Sequence, residues 1–253
     1  MSGGGQVNEF EKQMLAGEVY MGMEKRQKRL AFALQGIEAM RRLAPRSYAS
    51  ISFGKQSICL AHMLYQVEPD MPMYFLASSE TWDLHNYAEV IDAFLERWPI
   101  NLHIVQTDHA GTHPDLSWKE VRDLGDQDLQ NMVDRAEWDG WYWGLSKEES
   151  KARKITLSRR WEGQPHPTIY RYKDGKYRCC PLMHWELLDI AAYVVEHDLP
   201  LLQIYKDLGL QERTTARLTK KAVEYHGLAQ VKRRDIASYN RLAARFPELR
   251  KYT

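Results

Sequence analysis

The fold is decided by the stretch from Tyr48 to Ala61, YASISFGKQSICLA. Residues 48–51 are an apolar run with a β-branched isoleucine, which is typical of a buried strand. Residues 52–54 break that run, and from Ile58 onward the apolar residues recur at helical spacing. A helix that begins directly after such a short loop has unpaired backbone N–H groups that favour an anion. The stretch therefore predicts a phosphate-binding loop.

The side chains within this loop are suited to holding phosphate oxygens. Gly54 lets the backbone approach an anion closely, Ser52 and Ser57 offer hydroxyl donors, and Lys55 adds a positive charge. The spacing matches neither the Walker pattern nor the dinucleotide Gly-x-Gly-x-x-Gly pattern. An ordinary strand-to-helix connection explains the loop equally well, and these residues alone leave both interpretations open.

The residues on either side of this stretch predict an α/β fold. A helical pattern extends from Glu9 to about Arg42, further strands are expected at 73–77 and 101–105, and a helix lies between those two strands. The aromatic segment 138–145 predicts a fourth strand. This alternation is typical of a mostly parallel sheet that is covered by helices on both faces.

Ligands of such sheets bind at the carboxyl ends of the strands. Three loops are therefore expected to share one edge of the sheet, namely residues 52–57, 78–81 and 106–109. The acidic residues at these ends, Glu80 and Asp108, are the candidate metal ligands, and the metal site is otherwise unknown.

Composition restricts the class of protein. Of the 253 residues, 44% are hydrophobic and 27% are charged, which is typical of a globular protein. No apolar run reaches the roughly 20 residues that span a membrane. The first residues lack the basic and apolar segments of a signal peptide. The sequence therefore predicts a cytoplasmic protein without membrane contact, built as one sizeable domain with appendages.

The cysteines and the charges are unevenly distributed. The three cysteines, Cys59, Cys179 and Cys180, suit a reducing compartment and form no disulfide framework. No Cys-x-x-Cys is present, so no iron–sulfur cluster is expected. Residues 211–253 contain 11 Lys or Arg and 4 Asp or Glu, a balance of +7 in a chain of net charge +1. This basic region suits nucleic acid or an acidic partner protein, and a solvated surface explains it equally well.

Residues 52–57, Ser-Phe-Gly-Lys-Gln-Ser, resemble the PP-loop of the phosphoadenosine phosphosulfate (PAPS) reductase family, which belongs with the N-type ATP pyrophosphatases. The resemblance implies a Rossmann-like adenine-nucleotide alpha-hydrolase fold in which this loop holds the phosphates of an adenine nucleotide. One departure is that the usual Asp is Gln56, which replaces a carboxylate with a neutral amide and bears on metal-assisted catalysis.

Two later segments resemble the same family in the same order. Residues 144–153 are similar to the Gly-Leu/Ile-Arg-x-x-Glu-Ser-x-x-Arg motif, with matches at Gly144, Glu149, Ser150 and Arg153. Ser146 stands where that motif usually has Arg. Residues 181–194 are similar to the Pro-Leu/Ile-x-x-Trp-x-x-x-Asp-Val-x-x-Tyr-Ile motif, with matches at Pro181, Leu182, Trp185, Asp189 and Tyr193. On these three motifs the chain is identified as a member of the family.

The resemblance implies ATP pyrophosphatase chemistry, in which ATP is cleaved with Mg²⁺ between its α- and β-phosphates and an acceptor is adenylylated. Relatives of this kind occur with partner proteins in sulfur-transfer systems such as DNA phosphorothioation. One alternative is a PAPS or adenylyl-sulfate reductase, although the family's nucleophilic C-terminal cysteine has no counterpart after Cys180. The other is a nucleotide-binding assembly protein that lost catalysis through Gln56 and Ser146. The sequence defines neither the acceptor nor the oligomeric state, and it is compatible with a homo-oligomer.

The predicted division is a helical N-terminal extension (residues 1–46), a nucleotide-binding α/β domain (47–200) and a basic helical C-terminal region (201–253). The predicted catalytic residues are Lys55, Ser57 and Arg153. The predicted nucleotide-binding residues are Ser52, Phe53, Gly54, Lys55, Gln56, Ser57, Ser78, Ser79, Glu80, Gly144, Glu149 and Ser150.

Overall fold

One mostly parallel sheet organises the computed structural model of the chain. The model describes residues 8–78, 86–107, 115–117, 119–121, 123–124, 127, 137–160, 162–212, 227–234 and 236–252. The strands of the sheet are β1 (Ser47–Ser50), β2 (Met73–Ser78), β3 (Leu102–Thr107), β4 (Gly140–Trp143), β5 (Ile169–Arg171) and β6 (Tyr177–Cys179).

The strand order is β3-β2-β1-β4-β6-β5, and every neighbouring pair is parallel except β5 with β6. From β1 the chain moves outward through β2 to β3, then returns to lay β4 against the other side of β1. The order therefore reverses between β1 and β4, which is the topological switch point where open α/β sheets bind ligands. The predicted parallel α/β fold and its first four strands are confirmed.

Helices cover this sheet and connect its strands. The helices are α1 (Glu9–Met21), α2 (Glu24–Leu43), α3 (Lys55–Val67), α4 (Tyr87–Arg97), α5 (Lys151–Thr156), α6 (Leu187–His197), α7 (Gln203–Leu208), α8 (Gly227–Arg234) and α9 (Ile236–Arg245). Two 3₁₀ turns occupy Lys147–Glu149 and Pro247–Tyr252. None of the described helices is both long enough and apolar enough to cross a membrane.

The helical pattern from Glu9 to Arg42 forms two helices rather than the single one predicted. Helix α1 begins in a reciprocal cap, since Asn8 Oδ1 accepts from the Glu11 N–H (2.8 Å) and Glu11 Oε2 accepts from the Asn8 N–H (2.9 Å). The break comes at Gly22 and Met23, where the backbone of Met23 is extended and α2 starts anew. Glycine favours such a break because it stabilises a helix interior poorly.

Helices α1 and α2 pack into the same hydrophobic core as the sheet. Gly17 of α1 lies so close to α6 that a β-carbon there would be 2.7 Å from the Ala191 carbonyl carbon, and only glycine allows this approach. On α2, Ala33, Ile37 and Met40 are fully buried in that core. The helices of the predicted N-terminal extension therefore help to bury the sheet. The division at residues 46 and 200 stays a prediction.

Sequence reasoning missed the hairpin of β5 and β6. Its turn contains Asp174 and Gly175, and Gly175 has the left-handed φ of +87° that glycine adopts readily. The Tyr172 N–H donates to the Lys176 carbonyl at 2.8 Å to close the turn. An Asp-Gly pair between short aromatic and β-branched runs is a known hairpin signal, so this element could have been found.

A second, smaller cluster of buried side chains holds the C-terminal helices. It contains Val121, Leu228, Tyr239, Leu242, Ala243, Phe246 and Leu249. Leu228, Leu242 and Phe246 turn inward into this cluster and are buried. On the outer side Lys232 and Arg233 are exposed.

Candidate nucleotide-binding site

The phosphate-binding loop, which we define as residues 51–57, lies at the carboxyl end of β1 and includes the first turn of α3. Gly54 is the N-cap of α3 with an extended backbone, and the Ile58 N–H donates to the Gly54 carbonyl at 2.9 Å. The loop thus follows a strand at the switch point and opens a helix. This is the geometry that exposes backbone N–H groups to an anion.

Phe53 fixes the shape of the loop. Its φ of +49° is left-handed, a conformation that costs a bulky residue on the order of 1–3 kcal/mol. The side chain is completely buried, with ring centroids 5.5 Å from Phe75 and 5.9 Å from Phe94. Burial in the core offsets the backbone strain, so Phe53 anchors the loop from below.

The hydrogen bonds of the loop leave the N–H groups of Gln56 and Ser57 available. The Ser52 N–H donates to Ser57 Oγ at 2.7 Å, and the Lys55 N–H donates to the Tyr205 hydroxyl at 3.2 Å. The N–H groups of Gln56 and Ser57 belong to the first turn of α3, where no intrahelical acceptor exists. They have no partner among the residues that the structure describes. These two adjacent donors are what a phosphate oxygen requires.

Gly144, which follows β4, closes against the phosphate-binding loop. A β-carbon at Gly144 would lie 3.1 Å from Ser57 Cα and 3.2 Å from the Gln56 carbonyl carbon. A side chain there would require the neighbouring backbone to move by a few tenths of an ångström, so glycine favours the close approach of the β4 loop. The first two resembling segments therefore meet at the switch point.

The C-terminal residues of the described core also reach the loop. Lys55 is only 5% exposed, its Nζ donates to the Glu212 carbonyl at 2.7 Å, and it lies 5.3 Å from the centre of the Tyr205 ring. Tyr205 and Glu212 were not predicted as site residues, since a tyrosine and a backbone carbonyl carry no motif of their own. The residues around Gly209, whose φ is +93°, bring this carbonyl over α3.

The motif after β4 forms its own hydrogen-bonded turn. Glu149 Oε2 accepts from the Ser146 N–H at 2.9 Å, and Ser150 Oγ accepts from the Arg153 N–H at 3.1 Å to cap α5. The Arg153 guanidinium pairs with the Glu149 carboxylate one turn earlier. Ser146 thus caps a 3₁₀ turn, and the α-helix begins at Lys151.

The structure brings together seven of the predicted site residues: Ser52, Phe53, Gly54, Lys55, Gln56, Ser57 and Gly144. Glu149, Ser150 and Arg153 lie in the adjoining turn. Ser78 ends β2, while Ser79, Glu80 and Asp108 lie outside the described residues. A nucleotide-binding role for all of these residues stays a prediction.

The segment of residues 181–194, which we call the anchor segment, is largely buried and is hydrogen-bonded to neighbouring helices. Asp189 is 2% exposed, and its Oδ2 accepts from the Glu186 N–H at 2.7 Å and pairs with the Arg29 guanidinium at 2.5 Å. The Tyr193 hydroxyl lies 2.9 Å from His62 Nδ1 of α3. Arg29 hydrogen-bonds to Glu186 as well, which lowers the pKa of that carboxyl. This segment ties α2, α3 and α6 together.

All three cysteines are buried. Burial raises the pKa of Cys59 and Cys179 far above the ordinary range and raises that of Cys180 to about 11. Thiols in such surroundings are protonated and inert at neutral pH. Among the described residues, no three His, Cys, Asp or Glu side chains lie close enough to hold a metal ion. The expectation of no iron–sulfur cluster stays a prediction.

The family model for the phosphoadenosine phosphosulfate reductase domain matches residues 46–209. The chain belongs to this family. That match covers the sheet, the phosphate-binding loop, the turn after β4 and the anchor segment. The recognition made from the three motifs is therefore confirmed.

Two curated relatives agree with membership in the PAPS reductase family. The chain is 30% identical over 171 residues to an adenosine 5'-phosphosulfate reductase of Halalkalibacterium halodurans, covering 62% of this chain and 65% of that protein. It is 25% identical over 164 residues to a phosphoadenosine 5'-phosphosulfate reductase of Xylella fastidiosa, covering 60% and 63%. The match thus spans slightly less than two thirds of either relative.

The crystal structure of a PAPS reductase from Candida auris, in a phosphate complex, superposes with a TM-score of 0.53 at 17% identity. The superposition covers 73% of this chain and 87% of that one. It supports the fold.

Proposed function

We propose that the phosphate-binding loop holds an adenine nucleotide and that the protein is an ATP pyrophosphatase of the PAPS reductase family. The observation that carries this proposal is the pair of unpartnered N–H groups of Gln56 and Ser57 at the start of α3. They lie beside Gly144 at the switch point of the sheet, where α/β proteins bind ligands.

The proposed reaction breaks the bond between the α-phosphorus of ATP and the oxygen that bridges to the β-phosphate. An acceptor hydroxyl or carboxylate oxygen bonds to that phosphorus, pyrophosphate leaves, and a hydroxyl acceptor also releases its proton. Water as the acceptor gives AMP and pyrophosphate. Charge grows on the leaving pyrophosphate, so the protein's contribution is placed donors and cations.

Lys55 is the proposed cation for the leaving phosphates. Its Nζ now donates to the Glu212 carbonyl, and a bound nucleotide would replace that neutral acceptor with a charged phosphate oxygen. The stronger charge-assisted bond favours this exchange. Ser57 and Arg153 are proposed to assist as hydroxyl and guanidinium donors, with Arg153 released from Glu149.

The family implies Mg²⁺, and the described part of the loop offers little to hold it. The side chains there are hydroxyl, ammonium and amide groups, and Gln56 replaces the usual carboxylate. Magnesium sites use one or two carboxylates besides the phosphates. These residues do not fit a direct Mg²⁺ site, and no step above depends on one.

For the acceptor of the adenylyl group we propose only a class of reaction. We propose a sulfur-transfer reaction such as DNA phosphorothioation in the cytoplasm, carried out with a partner protein that docks on the basic residues 211–253. Three reduced, buried cysteines suit that compartment. Lys232 and Arg233 are exposed on α8 and are available to such a partner.

A reductase is the second candidate, favoured by the names of the two curated relatives. Reduction of a sulfonate requires a nucleophilic thiolate. The three cysteines of this chain are buried with raised pKa values, so the thiol would have to come from another protein. A nucleotide-binding assembly protein without catalysis is the remaining alternative.

Product analysis separates these readings. Purified protein is incubated with ATP and Mg²⁺, and we expect AMP and pyrophosphate. The Lys55→Ala variant should lose this activity, and the exposed Lys151→Ala variant should keep it. ADP and phosphate as products would contradict the proposal. Sulfite release from a phosphosulfate nucleotide with thioredoxin would select the reductase, and nucleotide binding without any product would select the assembly protein.

A further inference from the structure

A cavity of about 320 Å³ lies between the turn after β4 and the loop that follows β6. The residues that matter to its chemistry are Arg29, Lys147, Lys154, His184, Trp185 and Glu186. Its volume corresponds to roughly ten waters at about 30 Å³ each, considerably more than one inorganic anion fills.

The cavity is separate from the phosphate-binding loop, since none of residues 51–57 lines it. The two loops that frame it are joined by the Lys147 N–H, which donates to the Met183 carbonyl at 3.0 Å. Lys147 is three residues beyond Gly144, which packs on the phosphate-binding loop. Three residues reach at most about 11 Å, so the cavity adjoins the proposed nucleotide site without sharing its residues.

Arg29 pairs with Glu186 and Asp189, but the two lysines of the cavity, Lys147 and Lys154, are not neutralised by an acidic side chain of the described residues. No ion pair joins Lys147 or Lys154 to an acidic side chain within the described part of the chain. Burial, followed by the positive charges of Arg160 and Lys154, lowers the pKa of Lys147. Burial, Lys147 and Arg160 likewise lower the pKa of His184. These groups repel one another, and an anion would relieve that repulsion.

The two carboxylates of the cavity are already engaged. Glu186 pairs with Arg29 and Lys25, and Glu148 Oε2 accepts from the Leu187 N–H at 2.9 Å at the start of α6. In contrast, Trp185 is 3% exposed, and its indole N–H has no partner among the described residues. The acidic side chains of the cavity are therefore used within the protein and leave the charge of Lys147 and Lys154 available to a ligand.

We propose that this cavity is a second anion site, which binds the phosphate or sulfate group of a ligand larger than the inorganic ion. Lys147 and Lys154, which both line the cavity, supply the charge. The group belongs either to a second molecule, such as an anionic acceptor, or to the far end of the nucleotide held by the phosphate-binding loop.

Calorimetric titration with inorganic phosphate tests the site itself. We expect wild-type protein to bind phosphate. The double variant Lys147→Ala/Lys154→Ala should bind phosphate at least about tenfold more weakly. Lys151→Ala is the matched control, because Lys151 lies on the same helix but not in the cavity. It should change the affinity by less than about twofold. The variant Lys147→Arg/Lys154→Arg should restore binding, which separates loss of charge from loss of folding.

The outcomes are clear-cut. Absence of phosphate binding to the wild type, or equal binding by the double alanine variant, overturns the proposal. Phosphate binding that is lost in Lys55→Ala and kept in the double variant would assign the ion to the phosphate-binding loop and also overturns it. Failure of the proposed ATP cleavage leaves these phosphate affinities unchanged, so the two proposals fail independently.

Competition identifies the source of the group. With the protein saturated with ATP, undiminished phosphate binding indicates a second molecule. Where phosphate binding depends on Lys147 and Lys154 and not on Lys55, competition by ATP but not by AMP indicates the far end of the nucleotide, and both results support an anion site in this cavity. Competition by AMP as strong as that by ATP would place the phosphate in the phosphate-binding loop and contradict the assignment.

Discussion

The phosphate-binding loop and the anchor segment both carry residues of the family motifs, yet they are built in opposite ways. The loop contains a strained Phe53, two unpartnered N–H groups and a backbone approach that Gly144 favours. The Trp185 N–H and Asp189 Oδ1 have no partner among the described residues, but the other polar contacts of the anchor segment join it to its neighbours, as Asp189 Oδ2 does with Arg29 and with the Glu186 N–H.

The difference separates binding from stability. Unsatisfied donors lower the stability of the empty protein. That stability is regained when a ligand supplies the acceptor. Satisfied buried pairs contribute nothing to a ligand, but breaking one leaves an uncompensated group. A motif match therefore does not by itself indicate contact with substrate, and the two regions should respond differently to substitution.

The largest effect is expected at Asp189, and it should be on stability alone. Asp189→Ala leaves the half-buried Arg29 guanidinium with only Glu186 as a described partner and removes the cap of α6. We expect the free energy of unfolding to fall by about 3–5 kcal/mol. Urea denaturation followed by circular dichroism measures it, and nucleotide affinity of the folded protein should stay within about twofold.

Asp189→Asn is the matched control, since it keeps the shape and the cap acceptor but removes the charge. It should lose less stability than the alanine variant. If Asp189→Ala instead abolished nucleotide binding without loss of stability, the anchor segment would be part of the binding site, and the contrast would be wrong.

The second effect concerns His62, which links the two regions. His62 of α3 is 2% exposed, contacts the Tyr193 hydroxyl of α6, and burial lowers its pKa from 6.5 to about 4. The unfolded state thus takes up the proton first as the pH falls. Stability is complete above pH 6.5, decreases by up to about 1.4 kcal/mol per pH unit below it, and levels off near pH 4.

Thermal or urea unfolding between pH 7.5 and 4 tests this prediction, because it measures how the free energy of unfolding changes with pH. His62→Gln removes the titration, so the slope should become shallower whatever the variant's absolute stability. Residual slope is expected from His197, whose pKa burial also lowers. An unchanged slope would show that His62 is protonated as readily in the folded protein as in the unfolded chain. The junction of α3 and α6 would then be more open than the structure indicates.

The sequence was sufficient for those parts of the fold that depend on local pattern. Strand, loop and helix at residues 48–61 followed from apolar spacing, and the parallel sheet followed from their alternation with later segments. The meeting of Gly144 with Ser57 was expected only as a shared edge, because no pattern encodes so close an approach of two residues 87 positions apart, where a β-carbon on Gly144 would lie 3.1 Å from Ser57 Cα.

What the sequence missed depends on contacts between distant residues. Lys55 was predicted to reach a phosphate, but its partner in this structure is the backbone carbonyl of Glu212, which any residue type could supply. The unpartnered Trp185 N–H and the repulsion around Lys147 likewise arise only when α2, α5 and the β6 loop come together. Glu80 and Asp108 stay sequence predictions, since they lie outside the described residues.

The third effect is expected at Lys55, and it should be on nucleotide binding rather than on stability. Lys55→Ala should weaken ATP binding by about tenfold or more, because a charge-assisted contact contributes roughly 1.5–3 kcal/mol. Stability should fall by no more than about 1 kcal/mol, the value of the lost hydrogen bond to the Glu212 carbonyl. Calorimetry measures the affinity, with Lys151→Ala as the control. Unchanged affinity would remove Lys55 from the site and weaken the assignment of the loop.

The smallest effect is expected at Cys180, and it decides between the two enzymatic readings. Cys180 is 1% exposed in a cluster with Leu157 and Met183, and burial raises its pKa to about 11. A thiol that is protonated at neutral pH cannot attack a sulfonate. Cys180→Ala should therefore cost about 1 kcal/mol or less of stability and leave nucleotide binding and ATP cleavage unchanged.

Native-state alkylation extends the test to the other thiols. Iodoacetamide should leave Cys59, Cys179 and Cys180 unmodified in the folded protein, and mass spectrometry after denaturation provides the positive control. The Cys59→Ala variant is the matched comparison, since that thiol is also fully buried. Rapid alkylation of Cys180, together with sulfite release that Cys180→Ala abolishes, would make this thiol the nucleophile of a reductase. Cys180 would then belong with the phosphate-binding loop as a reactive group, although it lies next to the anchor segment.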